Sequence, residues 1–105
     1  MFTRNVMMRL KPNSVGEFTR TFENEVLPLL RKQTGFQDEL TLVAQGGTEV
    51  VGISFWDRKE SAETYERGTY PQVLKVLAKV IEGTPRVQTY EVSNSTFHKI
   101  AAHVG

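Results

Sequence analysis

The segment Val50–Trp56 constrains the fold most, because both faces of the strand that it predicts are apolar. Val51, Ile53 and Phe55 share one face of this strand. The other face carries Val50 at its beginning and Trp56 at its end. Successive side chains of a strand point to opposite faces of a sheet. Apolar side chains on both faces favour burial on both faces. We therefore expect a layer of helices on one side of this strand and a second apolar surface on the other.

The remaining pattern predicts two β-α-β units joined by a hairpin. Period-two alternation predicts strands over residues 2–11, 36–45, 48–56 and 86–92, and helical periodicity predicts helices over 14–35, 57–68 and 70–83. Two such units with right-handed crossovers form a four-stranded antiparallel sheet with helices on one face. The predicted fold class is α+β and ferredoxin-like. It comprises one domain over residues 1–92 and a C-terminal arm over 93–105.

Local signals predict where the helices begin. Ser14 with Glu17, and Asp57 with Glu60, have the spacing of capping boxes, in which each side chain satisfies a backbone N–H of the first turn. Pro28 lies inside the first helical pattern, where it removes a helical hydrogen bond. We expect a kink or an early helix end at this proline.

Glycines predict the turns. Gly35 is placed to end the first helix and Gly83 to end the last one. Gly46 and Gly47 are typical of a two-residue hairpin turn, in which both central residues have positive φ. On this pattern Val80 and Ile81 belong to the apolar face of the last helix.

Composition excludes several classes of function. The 105 residues carry 13 basic and 12 acidic side chains, so no strong field attracts nucleic acid or an acidic membrane. The absence of cysteine excludes disulfides, thiolate metal sites and a cysteine nucleophile. The two histidines, His98 and His103, both lie in the last eight residues. With no apolar run long enough to cross a bilayer and no secretion signal, we expect a cytoplasmic protein.

The side of the sheet that faces away from the helices predicts a homodimer. Met7 adds an apolar side chain to the faces that the third strand presents. Leaving several such side chains in water would forgo roughly 1.5–3 kcal/mol each. A second copy packed sheet against sheet would bury them. The alternative is a half-buried face, marked by Met7, Gly52 and Ser54, as antiparallel sheets often have.

The segment 51–65, VGISFWDRKESAETY, resembles the antibiotic biosynthesis monooxygenase (ABM) family of dimeric α/β barrels. In that family a strand ends in tryptophan, and a helix with an acidic, small-residue first turn follows. The opening strand Asn5–Pro12 and the Gly35–Phe36 turn fit the same layout. The resemblance spans residues 1–92. It implies a dimer and a cavity between sheet and helices in each subunit.

The resemblance also implies a reaction: oxidation of a small aromatic or quinol-like substrate by O₂, without a cofactor. An electron-rich phenolate can reduce O₂ itself when a pocket removes its proton and stabilises the anion. On this hypothesis Asn5 and Trp56 are catalytic and orient substrate and oxygen. The predicted substrate-binding residues are Tyr65, Tyr70, Phe22 and Met8.

Two further functions stay open. Heme-degrading relatives combine an asparagine and a tryptophan with a helix histidine, but residues 58–82 contain no histidine. His98 could replace it only if the arm folded back or reached the partner. The third hypothesis is a non-catalytic dimeric module that binds a small ligand. An apolar cavity filled by side chains, or one too small for an aromatic ring, would favour that module.

Each candidate also has a structural explanation. Asn5 could be a partly exposed residue of an edge strand, and Trp56 a core residue that fixes the strand-to-helix corner. Tyr65 and Tyr70 could pack with their hydroxyls in water.

The remaining candidates are charged or apolar residues with ordinary roles of their own. Arg4 and Arg9 could stabilise an anion, but such residues are more often surface charges. His98 could act as a base or ligand, but it is expected as a solvated residue of the arm. Phe18, like Phe22 and Met8, is expected in the core, where it could also line the cavity.

Overall fold

The computed structural model describes residues 1–97, and the predictions for His98, His103 and the end of the arm lie outside them. The strands are β1 (Phe2–Leu10), β2 (Phe36–Val43), β3 (Glu49–Trp56) and β4 (Ile81–Glu91), and the helices are α1 (Val15–Thr21), α2 (Leu27–Arg31), α3 (Lys59–Gly68) and α4 (Tyr70–Leu77). A π-helical segment, Phe22–Val26, joins α1 to α2. Within residues 1–97, no helix is both long enough and apolar enough to cross a bilayer.

The four strands form one antiparallel sheet in the order β2-β3-β1-β4, which confirms the ferredoxin-like prediction. In the central pair, Val6 lies opposite Gly52 and Phe2 lies opposite Trp56. Even-numbered residues of β1 and β3 therefore share the face that packs on the helices. The odd-numbered residues form the face away from the helices, which we call the open face.

The core lies between the sheet and the helices. Its largest fully buried side chains include Trp56, Phe18, Leu10, Val26 and Val50. Arg4 is as deeply buried as these residues, since only 2% of it is exposed. A charged group is therefore part of the layer that the helices cover.

The first helical region is interrupted where Pro28 predicted it. Pro28 lies in the first turn of α2, directly after the π-helical segment. Proline has no N–H, and its ring clashes with the carbonyl four residues earlier, that of Asn24. A wider π turn is one way for a helix to relieve such a clash.

Both predicted capping boxes are wrong. Ser14 is the N-cap of α1, but its hydroxyl donates a hydrogen bond to the Pro12 carbonyl (3.3 Å) instead of capping the helix. The N-cap of α3 is Arg58, and the Asp57 carboxylate accepts a hydrogen bond from Ser61 Oγ (2.6 Å). In both places a competing local side-chain bond replaces the cap.

The last helix is shorter than predicted, and the last strand begins earlier. α4 ends at Leu77, and Val80 and Ile81 leave the helix. The Lys11 amide donates to the Val80 carbonyl (2.9 Å), and Ile81 pairs with Leu10 at the end of β1. Pairing with an available strand end suits these β-branched residues better than another helical turn.

Gly83, predicted to end a helix, lies inside β4 with φ of 69°. It falls where the β1–β4 register shifts, between the pairs of Met7 and Arg9. A glycine with positive φ is typical of such an irregularity.

The hairpin between β2 and β3 is wider than the predicted two-residue turn. The Ala44 amide donates to Glu49 (2.9 Å) and the Gly47 amide to Ala44 (2.8 Å). Gly47 has φ of 71°, whereas Gly46 is not in the positive-φ region. A loop of this width needs one left-handed residue, not two.

Candidate functional site

A cavity of about 40 Å³ lies between the helix-covered face of the sheet and the helices. Strand residues line one side of it, namely Arg4, Val6, Met8, Glu39, Gly52 and Ser54, and helix residues line the other, namely Phe22, Val26, Leu30, Tyr65, Tyr70, Val73, Leu74 and Leu77. The structure thus brings together all four predicted substrate-binding residues: Met8, Phe22, Tyr65 and Tyr70. A mostly apolar cavity with a few polar groups is typical of small-molecule sites.

The cavity exists because β3 carries small residues at its centre. Gly52 and Ser54 lie on the helix-covered face, between the larger Val50 and Trp56. A Cβ at position 52 would lie 3.7 Å from Glu39 Oε2 and 3.8 Å from Met8 Cε, which are ordinary contact distances. The missing side chain of Gly52 therefore leaves space below these two groups.

Arg4 is the cationic group of the cavity. Its Nη2 forms an ion pair with Glu66 Oε1 (3.3 Å), and its Cζ lies 4.3 Å from the ring centroid of Tyr70 and 5.2 Å from that of Tyr65. The buried Nε has no hydrogen-bond partner. A buried unsatisfied donor is costly, so an acceptor brought next to this N–H would stabilise the site.

The expectation that Arg4 is a surface charge is wrong, whereas Arg9 does lie at the surface, 3.8 Å from Glu49. The alternation of β1 could have revealed the difference. Arg4 has the same parity as Val6, Met8 and Leu10, the predicted buried residues of that strand.

Glu39 is the acidic group of the cavity, and sequence analysis missed it. It lies on β2 opposite Ser54 and accepts a hydrogen bond from Thr41 Oγ1 (2.8 Å). Burial raises the pKa of its carboxyl group to about 7; the Thr41 hydrogen bond opposes this shift, and nearby Asp38 adds to it. The alternation of β2 concealed it, because Leu40 and Leu42, the apolar set that suggests a buried face, lie exposed on the open face.

Tyr65 and Tyr70 form the aromatic wall beside Arg4. Tyr65 is buried, so the hypothesis that both hydroxyls lie in water fails for this residue. Burial raises the pKa of Tyr65 to about 12 and also raises the pKa of Tyr70, although the Arg4 charge opposes both shifts. Both phenols are therefore neutral near pH 7 and can donate hydrogen bonds.

The predicted catalytic pair, Asn5 and Trp56, is not brought together. Asn5 pairs with Ile53 and Gln88 and lies on the open face. Trp56 is fully buried, and its Nε1–H donates to Ser54 Oγ (2.8 Å). Asn5 and Trp56 have opposite parity in the register of β1 and β3, so one sheet face cannot present both.

Within residues 1–97, no group of acidic or histidine side chains is suited to hold a metal ion.

A surface groove of about 290 Å³ lies next to the cavity, between the first helical region and the edge strand β2. Its lining residues are Phe18, Thr19, Phe22, Glu23, Leu27, Glu39, Thr41 and Val43. Phe22 and Glu39 line both spaces. These two side chains therefore lie between the cavity and the groove.

No protein-family model matches the sequence, and no curated protein matches it. Solved structures share its fold. SnoaB, a cofactor-independent oxygenase from Streptomyces nogalater, is 13% identical with a TM-score of 0.75, over 90% of this chain and 95% of that chain. A monooxygenase from the gene ActVA-Orf6 of Streptomyces coelicolor, in complex with nanaomycin D, is 16% identical with a TM-score of 0.70, over 90% and 88%.

A protein of unknown function from Nitrosomonas europaea, NE2512, is 14% identical with a TM-score of 0.74, over 97% of this chain and 95% of that chain. The structural neighbours of this chain thus include ABM-family monooxygenases as well as an uncharacterised protein. What these neighbours share with the chain is the α+β, ferredoxin-like ABM fold.

Proposed function

We propose that the protein is a cofactor-independent monooxygenase of the ABM type that acts on a small aromatic or quinol-like substrate. The observation that carries this proposal is the convergence of Arg4, Glu39, Tyr65 and Tyr70 on one apolar cavity. The fold shared with SnoaB and with the ActVA-Orf6 monooxygenase supports it.

We further propose that the domain spans residues 1–92, that 93–105 form an arm, and that the protein is cytoplasmic.

The proposed reaction converts a phenol and O₂ to a quinone and water. The phenolate supplies the electrons that reduce O₂, so the protein must bind the ring and stabilise negative charge. Phe22 and Met8 would contact the ring, and Arg4 would stabilise the anion. The roles of Asn5 and Trp56 in orienting substrate and oxygen stay a prediction, because neither residue lines the cavity.

The size of the cavity favours a second candidate, a non-catalytic module that binds a small ligand. A volume of about 40 Å³ holds roughly one water molecule. An aromatic ring needs far more space, since benzene occupies a cavity of about 150 Å³. Oxygenation therefore requires the cavity to enlarge. Displacement of Phe22 would join it to the groove.

An oxygen-electrode screen of phenols, quinols and anthrones tests the two candidates. We expect oxygen uptake with at least one compound, and loss of that uptake in Arg4→Met. Arg9→Met is the matched control, because this arginine lies on the same strand but at the surface. If compounds of the screen bind but none causes oxygen uptake, the result supports the non-catalytic module. A Soret band on titration with heme would support heme degradation instead.

The open face supports a homodimer, which we propose as the working assembly. Exposed apolar side chains lie on three strands of this face: Met7, Leu40, Leu42 and Tyr90. Such a patch is typical of an interaction surface. Light scattering should give twice the mass of one chain, and Leu42→Lys should shift it towards the monomer. Thr64→Lys, on the exposed side of α3, is the control.

A further inference from the structure

Among the residues that the structure describes, Glu39 is the one carboxylate that lines both the cavity and the groove. The other residue that lines both is Phe22, which is apolar. Its Oε2 lies 3.7 Å from the point where a Cβ on Gly52 would be, so the carboxylate extends over the floor of the cavity. Thr41 donates to the same oxygen and holds it there.

Arg4 provides the opposite charge on the same cavity, but its ion pair is with Glu66, at the outer side. The unpartnered Nε of Arg4 is buried within the cavity lining. Glu39, which can accept a proton, and Arg4, which can bind an anion, thus line the same small cavity without forming an ion pair with each other. A ligand that donates a proton and becomes an anion satisfies both groups.

We infer that Glu39 accepts a proton from ligands with an acidic hydroxyl group, namely phenols or enols, and that Arg4 binds the resulting anion. This inference rests on the proposed function, because it assigns the cavity as the binding site. In the proposed step the ligand O–H bond breaks. The proton moves to a carboxylate oxygen of Glu39, and the electron pair remains on the ligand oxygen, beside the guanidinium of Arg4.

The electrostatic surroundings suit this role. The pKa of Glu39, about 7, makes it a stronger base than an ordinary glutamate, yet leaves it ionised in mildly alkaline buffer. Asp38 on β2 and Tyr65 on α3 interact electrostatically with Glu39. Three further titratable or charged groups line the same cavity or groove: Arg4 on β1, Tyr70 on α4 and Glu23 in the π-helical segment. Glu66 on α3 is paired with Arg4. The carboxyl nevertheless retains a raised pKa, because burial outweighs the Thr41 hydrogen bond.

The test uses para-chlorophenol, whose hydroxyl stays protonated in free solution at the pH of the experiment and whose absorption band shifts when that hydroxyl ionises. Binding is followed at about pH 8, where Glu39 is mostly ionised. Calorimetry in two buffers of different ionisation enthalpy counts the protons exchanged with solvent. We expect the wild type to bind the phenolate without releasing a proton, because Glu39 keeps it. The proportion of bound phenolate should fall by half near pH 7.

Glu39→Gln should bind the neutral phenol or release one proton to the buffer, with affinity lowered about tenfold or more. Glu60→Gln, an exposed glutamate on α3, is the control and should match the wild type. Thr41→Val keeps the carboxylate but removes the hydrogen bond that lowers its pKa, so the midpoint should move to higher pH. This variant tests the inference even if Glu39→Gln folds poorly.

Three results would overturn the inference: no binding by the wild type, release of a full proton by the wild type, or identical behaviour of Glu39→Gln. Oxygen uptake is measured separately. Proton transfer without uptake would contradict the oxygenase while leaving the role of Glu39 intact. Oxygen uptake that is unchanged in Glu39→Gln would support the oxygenase and contradict the role of Glu39.

Discussion

The Trp56 end and the centre of β3 use the same sheet face in opposite ways. At the end, Trp56 is fully buried, with its ring centroid 5.6 Å from that of Phe36 and 5.0 Å from that of Tyr65. At the centre, Gly52 has no side chain, and Arg4 and Glu39 are the charged groups that line the mostly apolar space that remains. The end of the strand is packed for stability, whereas the centre leaves room for a ligand.

Two glycines show the same contrast at the level of single atoms. A Cβ at Gly35, beside the Trp56 end, would overlap with the side chains of Asp57 and Ser61, and the residue has φ of 82°. A Cβ at Gly52 would make ordinary contacts. The first glycine is required by the backbone and its neighbours. The second leaves a space that another side chain could fill.

Trp56→Ala should have the largest effect on stability. It removes a fully buried ring, and such truncations cost about 3–5 kcal/mol. Urea denaturation measures the loss. Phe97→Ala is the control, because 79% of Phe97 is exposed, and its change should stay within about 0.5 kcal/mol. Equal effects of the two variants would show that the Trp56 end of β3 is not packed for stability.

Gly35→Ala should come next, with a loss of about 1–3 kcal/mol. The methyl group would require the Asp57 and Ser61 side chains to move, and the backbone would hold alanine in a left-handed conformation. The midpoint of thermal unfolding measures this loss. An unchanged midpoint would show that the corner yields more easily than its close contacts indicate.

Gly52→Ala should change stability by less than about 1 kcal/mol while lowering the affinity for para-chlorophenol. The new methyl group meets Glu39 and Met8 at ordinary distances, but it occupies the floor of a small cavity. Thermal unfolding and ligand titration on the same sample separate the two effects. Undiminished affinity would place the ligand elsewhere.

Glu39 should also make the stability of the protein depend on pH. Its pKa is about 7 in the folded protein against an ordinary value of 4.5. The folded state therefore binds the proton more tightly, and stability is lost as pH rises from 4.5 to about 7. Glu39→Gln should remove this loss, so the two proteins should diverge across that range in urea denaturation. Parallel curves would contradict the shift.

The sequence allowed the fold to be predicted because alternation and helical periodicity report which side of each element is buried. It did not allow the end of α4 to be predicted, since Val80 and Ile81 fit a helix face as well as a strand. Arg4 was expected at the surface although it has the parity of Val6 and Met8, because charged residues are rarely buried. Glu39 was missed because it has the parity opposite to Leu40 and Leu42, the more apolar set of β2. A cavity is harder still to predict, since it depends on the distance between a glycine and residues far along the chain.

The π-helical segment has a consequence for how this chain tolerates insertions and deletions. It holds a wider turn between α1 and α2, and Phe22 and Val26, at its two ends, both line the cavity. A π turn holds one residue more than an α turn. Removing one residue there would therefore leave an ordinary α turn and keep Leu30 facing the interior, whereas inserting a residue would rotate everything that follows by about 100° about the helix axis. This segment is thus the place in the first helical region where a one-residue deletion disturbs the core least.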